Sequence, residues 1–148
     1  MLPQDNTTIV RTIFDSFNSR DFDRAVALVA PGAVFVDVAQ GVAFHGPVGY
    51  RQRFQNSVSA YPDVAVEIAN LFAGGDWVAV EYVSRGTNTG PLIGPSGQLP
   101  PTARRVEVRF CDVYQIKNGK VVLGRSYYDL VTMMRQLGQW PTLRPAGS

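Results

Sequence analysis

Three charged residues in the C-terminal part of the chain have the types and the spacing for acid/base chemistry. They are Asp112, Arg125 and Asp129. Asn118-Gly119 stands between two runs rich in β-forming residues, which predicts a two-residue hairpin because both central positions of its turn need positive φ. In that hairpin Asp112 is predicted to lie opposite Arg125, with Asp129 on the same largely apolar face. Charges on such a face are costly to bury unless they are paired or used.

Each of these residues has a structural explanation beside a chemical one. Asp129 precedes an apolar helical segment and can cap that helix, whereas an apolar enclosure would raise its pKa toward a range useful for general acid/base catalysis. Asp112 and Arg125 can form a cross-strand ion pair. Alternatively, Arg125 can orient Asp129 or hold a carbonyl or enolate oxygen. The sequence leaves both explanations open, and all three residues are candidate catalytic residues.

Helical and strand periodicities predict the elements that must position these residues. The predicted elements are helices at 6–19, 21–30 and 47–61, strands at 33–38, 64–73 and 77–87, the hairpin, and a last helix after Asp129. The Gly- and Pro-rich segment 89–102 is predicted to be a loop at the rim of a pocket. Helices gathered on one face of a curved antiparallel sheet make an α+β fold, which can enclose a cavity between the two layers.

Bulk properties argue against several classes of protein. The 148 residues suit a single domain over 1–140 with a loose tail at 141–148. A formal net charge of +2 is too small to predict binding to nucleic acid or to an anionic membrane. No signal peptide or membrane span is apparent, so we expect a cytoplasmic protein. With one cysteine, Cys111, and one histidine, His45, we expect no internal disulfide, no metal site and no cofactor.

Several motifs, taken in order, resemble one known family. The motifs are GTNTGPLIG from Gly86, PPTARRVEV from Pro100, and DVYQIKNGKVVLGRSYYDLVTMMRQLG from Asp112. They are similar to the SnoaL-like polyketide cyclases and ester cyclases of the NTF2-like superfamily. The resemblance implies a cone-shaped fold around a deep apolar pocket. It also implies that Asp129, at the end of the last strand, is the general acid/base of an intramolecular aldol condensation. Two positions depart from the family pattern, because Asn88 stands where it has His and Arg125 where many members have Trp.

The resemblance also implies which residues contact a substrate. Asp37 is expected across the cavity mouth from Asp129, and the alternative for it is a solvated carboxylate at the end of a strand. The other expected pocket residues are Phe35, Tyr50, Phe54, Tyr82, Ser84, Asn88, Phe110 and Tyr127. The alternative for Asn88 and its strand neighbours is ordinary hydrogen bonding inside the protein, and for the aromatic residues it is core packing.

The expected function is therefore a cofactor-free cyclase or isomerase acting on a small apolar carbonyl compound of polyketide type. The run Gly124–Leu130 also resembles the last strand of the limonene-epoxide hydrolases, although Tyr82 and Ser84 occupy the places of their Arg and Asp, so epoxide hydration is one alternative. A non-catalytic binding module is another. A homodimer is expected through the sheet face that carries Cys111, Val113, Val122 and Tyr128.

Overall fold

The computed structural model describes residues 5–94 and 97–140. The predicted tail at 141–148 lies outside these ranges. The helices are α1 (Asn6–Asn18), α2 (Phe22–Val26), α3 (Gly46–Ala60) and α4 (Leu130–Gln136). Aspartates cap three of them: Asp5, Asp21 and Asp129 each accept a hydrogen bond from a backbone N–H in the first turn of the helix that follows. Helix α3 begins instead at Gly46, with Pro47 inside its first turn.

The strands form a six-stranded curved sheet with the order β2-β1-β8-β7-β4-β3. Their bounds are β1 (Val29–Asp37), β2 (Val42–His45), β3 (Ala65–Gly74), β4 (Trp77–Thr87), β7 (Arg105–Lys117) and β8 (Lys120–Tyr128). Strands β1 and β8 run parallel, and the other neighbouring pairs are antiparallel. The predicted α+β fold is confirmed.

The segment predicted as a loop contains two short strands that the sequence did not indicate. Strands β5 (Leu92–Gly94) and β6 (Gly97–Leu99) pair with each other and form a separate two-stranded sheet. Strand β2 was also missed, because its four residues follow a turn and run directly into α3. These small elements do not change the predicted order of the larger ones.

The predicted hairpin is present, but its predicted register is wrong beyond Ile116. Ile116 pairs with Val121 as expected, whereas Gln115 pairs with Leu123. Val122 is therefore an extra residue in β8, a bulge that turns every later side chain of β8 to the other face. Asp112 consequently lies opposite Ser126, and the predicted cross-strand pair with Arg125 is absent.

Candidate active site

A largely apolar cavity of about 370 Å³ lies between the helices and the inner face of the sheet. Its apolar walls include Ile13, Phe14 and Phe17 of α1, Phe54 of α3, Val106, Val108 and Phe110 of β7, and Leu92 and Ile93 of β5. Few charged side chains interrupt this lining: Asp37, Arg53 and Asp112 are the charged residues among those described. The charged groups of the cavity are therefore confined to a few points.

One of these points is a buried group that we call the Asp112 cluster, made of Arg53, Tyr82, Asp112 and Tyr114. Asp112 is 0% exposed. The Tyr82 hydroxyl lies 3.1 Å from both carboxylate oxygens, and the Tyr114 hydroxyl donates to Oδ2 at 2.8 Å. The tyrosines come from β4 and β7, so the sheet itself sets their positions around the carboxylate. A buried carboxylate held by hydrogen-bond donors is tolerated, whereas an unsatisfied one would be very costly.

Burial dominates the electrostatics of the Asp112 cluster. It raises the pKa of Asp112, despite the opposing influence of the Arg53 charge and of the hydroxyl groups around the carboxylate. Burial and the neighbouring carboxylate also raise the pKa of Tyr82 and of Tyr114 well above the usual range. The tyrosines therefore stay protonated as donors, and Asp112 is a stronger base than an exposed aspartate when it is ionised.

Arg53 brings a positive charge to the cavity wall from α3. Its guanidinium stacks on the Phe35 ring, with Cζ 3.9 Å from the ring centroid. Burial tends to lower the pKa of Arg53, but nearby Tyr82 and Asp112 outweigh burial, so the pKa is raised and the group stays charged. Among the described residues, no carboxylate oxygen lies within 4.0 Å of this guanidinium. Because Arg53 lines the cavity and a guanidinium has five N–H donors, it can donate to an oxygen of a bound ligand.

A second polar point lies where β1 and β8 end. The Tyr128 hydroxyl donates to Asp37 Oδ2 at 2.9 Å and accepts from Gln40 Nε2 at 2.8 Å. The backbone N–H of Gln40 donates to Asp37 Oδ1 at 2.9 Å. All three side chains line the cavity. We call them the rim cluster.

The structure brings together six of the residues that the sequence analysis proposed for the site. Those lining the cavity are Asp37, Phe54, Tyr82, Ser84, Phe110 and Asp112. Phe35 and Tyr50 are buried behind the wall, where their rings pack edge to face with centroids 5.5 Å apart. Their position is that of core residues, and Phe35 affects the site through its contact with Arg53.

Asn88 lies outside the cavity lining and makes the ordinary internal hydrogen bonds that were the alternative to a substrate contact. It is 0% exposed, and its amide group donates to the carbonyl oxygens of Ala60 and Gly90, both at 3.0 Å. Its side-chain oxygen accepts from the backbone N–H and the hydroxyl of Thr102. The bond to Ala60 ties the segment after β4 to the end of α3, and the bonds to Gly90 and Thr102 hold that segment together, so the position has a structural role here.

Arg125, Tyr127 and Asp129 are also placed away from the cavity. The bulge turns Arg125 and Tyr127 to the outer face of the sheet, where Arg125 packs over the Trp77 ring and Tyr127 is 43% exposed. Asp129 is exposed and caps α4, accepting from the Val131 and Thr132 backbone N–H groups. A hydrogen bond from the Thr132 side chain, aided by these backbone bonds, lowers the pKa of Asp129. A carboxylate of this kind is a helix cap rather than a proton shuttle.

We therefore expect Asp129→Asn to retain full turnover with whatever substrate the protein accepts. Asn is also a good N-cap, so the folded state should lose little stability at pH 7. Because the folded-state pKa of Asp129 is lowered, its ionic contribution is present above the unfolded pKa and is lost as pH falls through the folded pKa. Thermal melts from pH 7 to pH 3 should show the wild-type advantage over Asp129→Asn shrinking on acidification. A constant or growing advantage would contradict this.

Four polar residues of the two clusters were not predicted as site residues: Gln40, Arg53, Tyr114 and Tyr128. The sequence could have indicated Arg53 as a site residue, because it falls three residues after Tyr50 on the inward stripe of α3, where a charge is unexpected. The sequence does not indicate the inward position of Tyr128, because the bulge that turns it inward lies in a Val-Val-Leu run that is ordinary for a strand.

Comparison with known protein families gives a match over residues 7–137 to the SnoaL-like polyketide cyclases. The chain belongs to this family. No curated protein matches the chain. The SnoaL-like proteins are the family that the sequence motifs resemble, so that assignment is confirmed.

Solved structures of similar proteins agree with this. IdmH from Streptomyces antibioticus, a proposed polyketide cyclase, is 27% identical, with a TM-score of 0.75 over 91% of this chain and 99% of its own. A proposed SnoaL-like polyketide cyclase from Jannaschia sp. CCS1 is 21% identical, with a TM-score of 0.79 over 95% and 100% of the two chains. AclR from Streptomyces galilaeus, a proposed hydroxylase, is 19% identical, with a TM-score of 0.76 over 93% and 87%. The last two comparisons show the shared fold alone.

Within residues 5–94 and 97–140, no three His, Cys, Asp or Glu side chains are grouped so that they could hold a metal ion. None of the helices in these ranges is long and apolar enough to cross a lipid bilayer.

Proposed function

We propose that this SnoaL-like protein is a cofactor-free acid/base enzyme of polyketide cyclase type, acting on a small, largely apolar carbonyl compound. The observation that carries the proposal is the Asp112 cluster: a buried carboxylate of raised pKa, hydrogen-bonded to Tyr82 and adjacent to the Arg53 charge, at an apolar cavity. Carboxylates with strongly shifted pKa values in clefts are frequent at catalytic sites.

The first chemical step is removal of a proton next to the carbonyl. Arg53 binds the carbonyl oxygen and stabilises the negative charge that develops there as the enolate forms. The α-proton passes to the Tyr82 oxygen while the Tyr82 proton moves to Asp112, so no tyrosinate forms. This path suits Tyr82, whose pKa is raised, and Asp112, which solvent does not reach directly.

The second step either closes a ring or returns the proton to a different carbon. In an intramolecular aldol condensation, the enolate carbon bonds to the carbon of a second carbonyl group, and the resulting alkoxide takes the proton back from Asp112 through Tyr82. In an isomerisation, the proton returns to a different carbon. Both outcomes conserve atoms and electrons, and both use the same pair of residues.

Proton abstraction can be tested without knowing the natural substrate. In D₂O, the wild-type protein should accelerate exchange of the α-protons of 1-tetralone, a bicyclic aromatic ketone, as followed by proton NMR. Heat-denatured protein at the same concentration is the control. If 1-tetralone binds in the cavity and its exchange is not accelerated, the protein is a binding module and the proposal fails.

A homodimer through the outer face of the sheet is a second part of the proposal. Cys111 and Val113 lie on this face as expected, and Trp77 on the same face is 37% exposed. Tyr128 has to be removed from the predicted interface because it lines the cavity. Partly exposed apolar side chains on a sheet face favour a symmetric partner. Light scattering should give about twice the 16.2 kDa chain mass, and a value near 16.2 kDa would contradict the dimer.

A further inference from the structure

Three aromatic side chains form a continuous row across the cavity face of the sheet. Tyr82 on β4 lies directly opposite Phe110 on β7, which lies directly opposite Tyr128 on β8. Tyr82 and Phe110 stack with ring centroids 5.2 Å apart, and Phe110 and Tyr128 are 4.5 Å apart. Neighbouring strands are about 4.8 Å apart, so the outer two residues of the row are separated by roughly 10 Å at the backbone. The row is a stack of rings that forms one continuous aromatic wall of the cavity, against which a ligand of similar length can pack.

The two ends of the row carry the same pair of groups, a tyrosine and an aspartate. Each end residue is a tyrosine whose hydroxyl is bound to a carboxylate: Tyr82 to Asp112 at one end, and Tyr128 to Asp37 at the other. Phe110, in the middle, has no polar atom in its side chain. Along the row itself, the polar atoms therefore lie at its two ends.

The two ends differ in what they can accept from a ligand. At the Tyr82 end, Arg53 supplies N–H donors, which suit a carbonyl oxygen. At the Tyr128 end, the hydroxyl already donates to Asp37 and accepts from Gln40. An ionised carboxylate only accepts hydrogen bonds and has about four lone-pair positions. Asp37 is half-buried and lines the cavity, so it has capacity left for one donor from a ligand.

We infer that the rim cluster is a second substrate subsite that binds a hydroxyl group. The ligand class is a ketone with its carbonyl at the Arg53 end and an alcohol or phenol hydroxyl at the far edge, donating to Asp37. Tyr128 and Gln40 are positioning residues, because they fix the Asp37 carboxylate. The ketone end of this inference rests on the proposed function, whereas the hydroxyl end does not.

A pair of probes that differ by one hydroxyl group tests the subsite. Calorimetric titration of the wild-type protein should give an affinity for 6-hydroxy-1-tetralone about tenfold higher than for 1-tetralone, because the added hydroxyl bonds to a charged acceptor. Asp37→Leu has a similar shape and no acceptor, so the ratio of its affinities for the two probes should fall to about one. Tyr128→Phe, which keeps the aromatic wall, should reduce the preference. Asp76→Leu, at the turn between β3 and β4, is the control and should keep it.

Equal affinity of the wild-type protein for the two probes would overturn the inference. So would a preference that persists in Asp37→Leu, or failure of both probes to bind. If Asp37→Leu does not fold, the Tyr128→Phe result decides, and an undiminished preference in that variant overturns the inference. The outcome is independent of the proposed chemistry, because a hydroxyl preference without α-proton exchange would support the subsite and contradict the enzyme.

Discussion

Asp112→Asn should lower the rate of α-proton exchange by at least about 100-fold, because general acid/base groups typically contribute about 10²- to 10⁴-fold. Asn has the shape of Asp and can still hydrogen-bond to the Tyr82 and Tyr114 hydroxyls, but it cannot take up a proton. The affinity for 1-tetralone should therefore change little while turnover falls. Titration calorimetry and NMR exchange on the same sample separate the two effects.

Tyr82→Phe provides a second readout of the same pathway. If the proton passes through Tyr82 to Asp112, removing either group breaks the pathway, and the double variant should be no slower than the slower single one. Tyr114→Phe is the matched control, since it removes the other tyrosine donor to Asp112 and leaves the pathway through Tyr82 in place. Multiplicative losses in the double variant would show that the two residues act separately and would contradict the relay.

The raised pKa of Asp112 also predicts how stability depends on pH. Burial raises the pKa of Asp112 in the folded state above its unfolded value, so between the two values the folded protein binds more protons than the unfolded chain. Stability contributed by protonated Asp112 is full below the unfolded pKa and is lost as pH rises through the folded pKa. Relative to Asp112→Asn, the wild-type protein should therefore become less stable as pH rises through this range.

Gly90→Ala should destabilise the protein by about 3 kcal/mol or more, a decrease in Tm of about 10 °C for a chain of this size. A Cβ atom at Gly90 would lie 1.7 Å from the carbonyl oxygen of Ser59, so the backbone itself would have to move. The Gly90 N–H donates to the Ala60 carbonyl, and the Gly90 carbonyl accepts from Asn88. The substitution therefore disrupts the contact that holds the β5–β6 segment to the end of α3.

Gly32→Ala is the matched control for this prediction. An added Cβ at Gly32 meets nothing within 4 Å, so its effect should stay within about 0.5 kcal/mol of zero. Differential scanning calorimetry of both variants measures the contrast. If both variants melt together with the wild-type protein, the close approach at Gly90 is not a structural constraint.

Local patterns were sufficient to predict the main elements of the fold. The apolar stripe of α1, the Asn-Gly turn and the aspartate cap of α4 are each determined by neighbouring residues, and the structure has them within a few positions of the prediction. The Gly- and Pro-rich segment was correctly expected to contribute to the pocket, because Leu92 and Ile93 line the cavity. Strand order and the short strands depend on pairing between distant segments, which local periodicity does not encode.

The site was harder to predict because one extra residue in β8 determines which side chains of that strand face the cavity. Val122 interrupts the alternation of β8, which exchanges the faces of Arg125 and Ser126 and of Tyr127 and Tyr128. A β-bulge of this kind is favoured by the packing of the whole sheet, and the types of the two residues beside it do not predict it. Asp112 was identified from the sequence, but its partners Tyr82, Tyr114 and Arg53 come together only when β4, β7 and α3 pack.

The role of Asp112 can be examined by comparing two aspartates in one assay. The α-proton exchange of 1-tetralone in D₂O should be measured by NMR for the wild-type protein, Asp112→Asn and Asp129→Asn at equal concentration and pH, with folding checked by thermal melts. The Asp112 cluster predicts that Asp129→Asn exchanges at the wild-type rate while Asp112→Asn falls by at least about 100-fold. Loss of exchange in Asp129→Asn, with Asp112→Asn unaffected, would contradict a catalytic role for Asp112. It would indicate instead that Asp129, at the end of the last strand, transfers the proton.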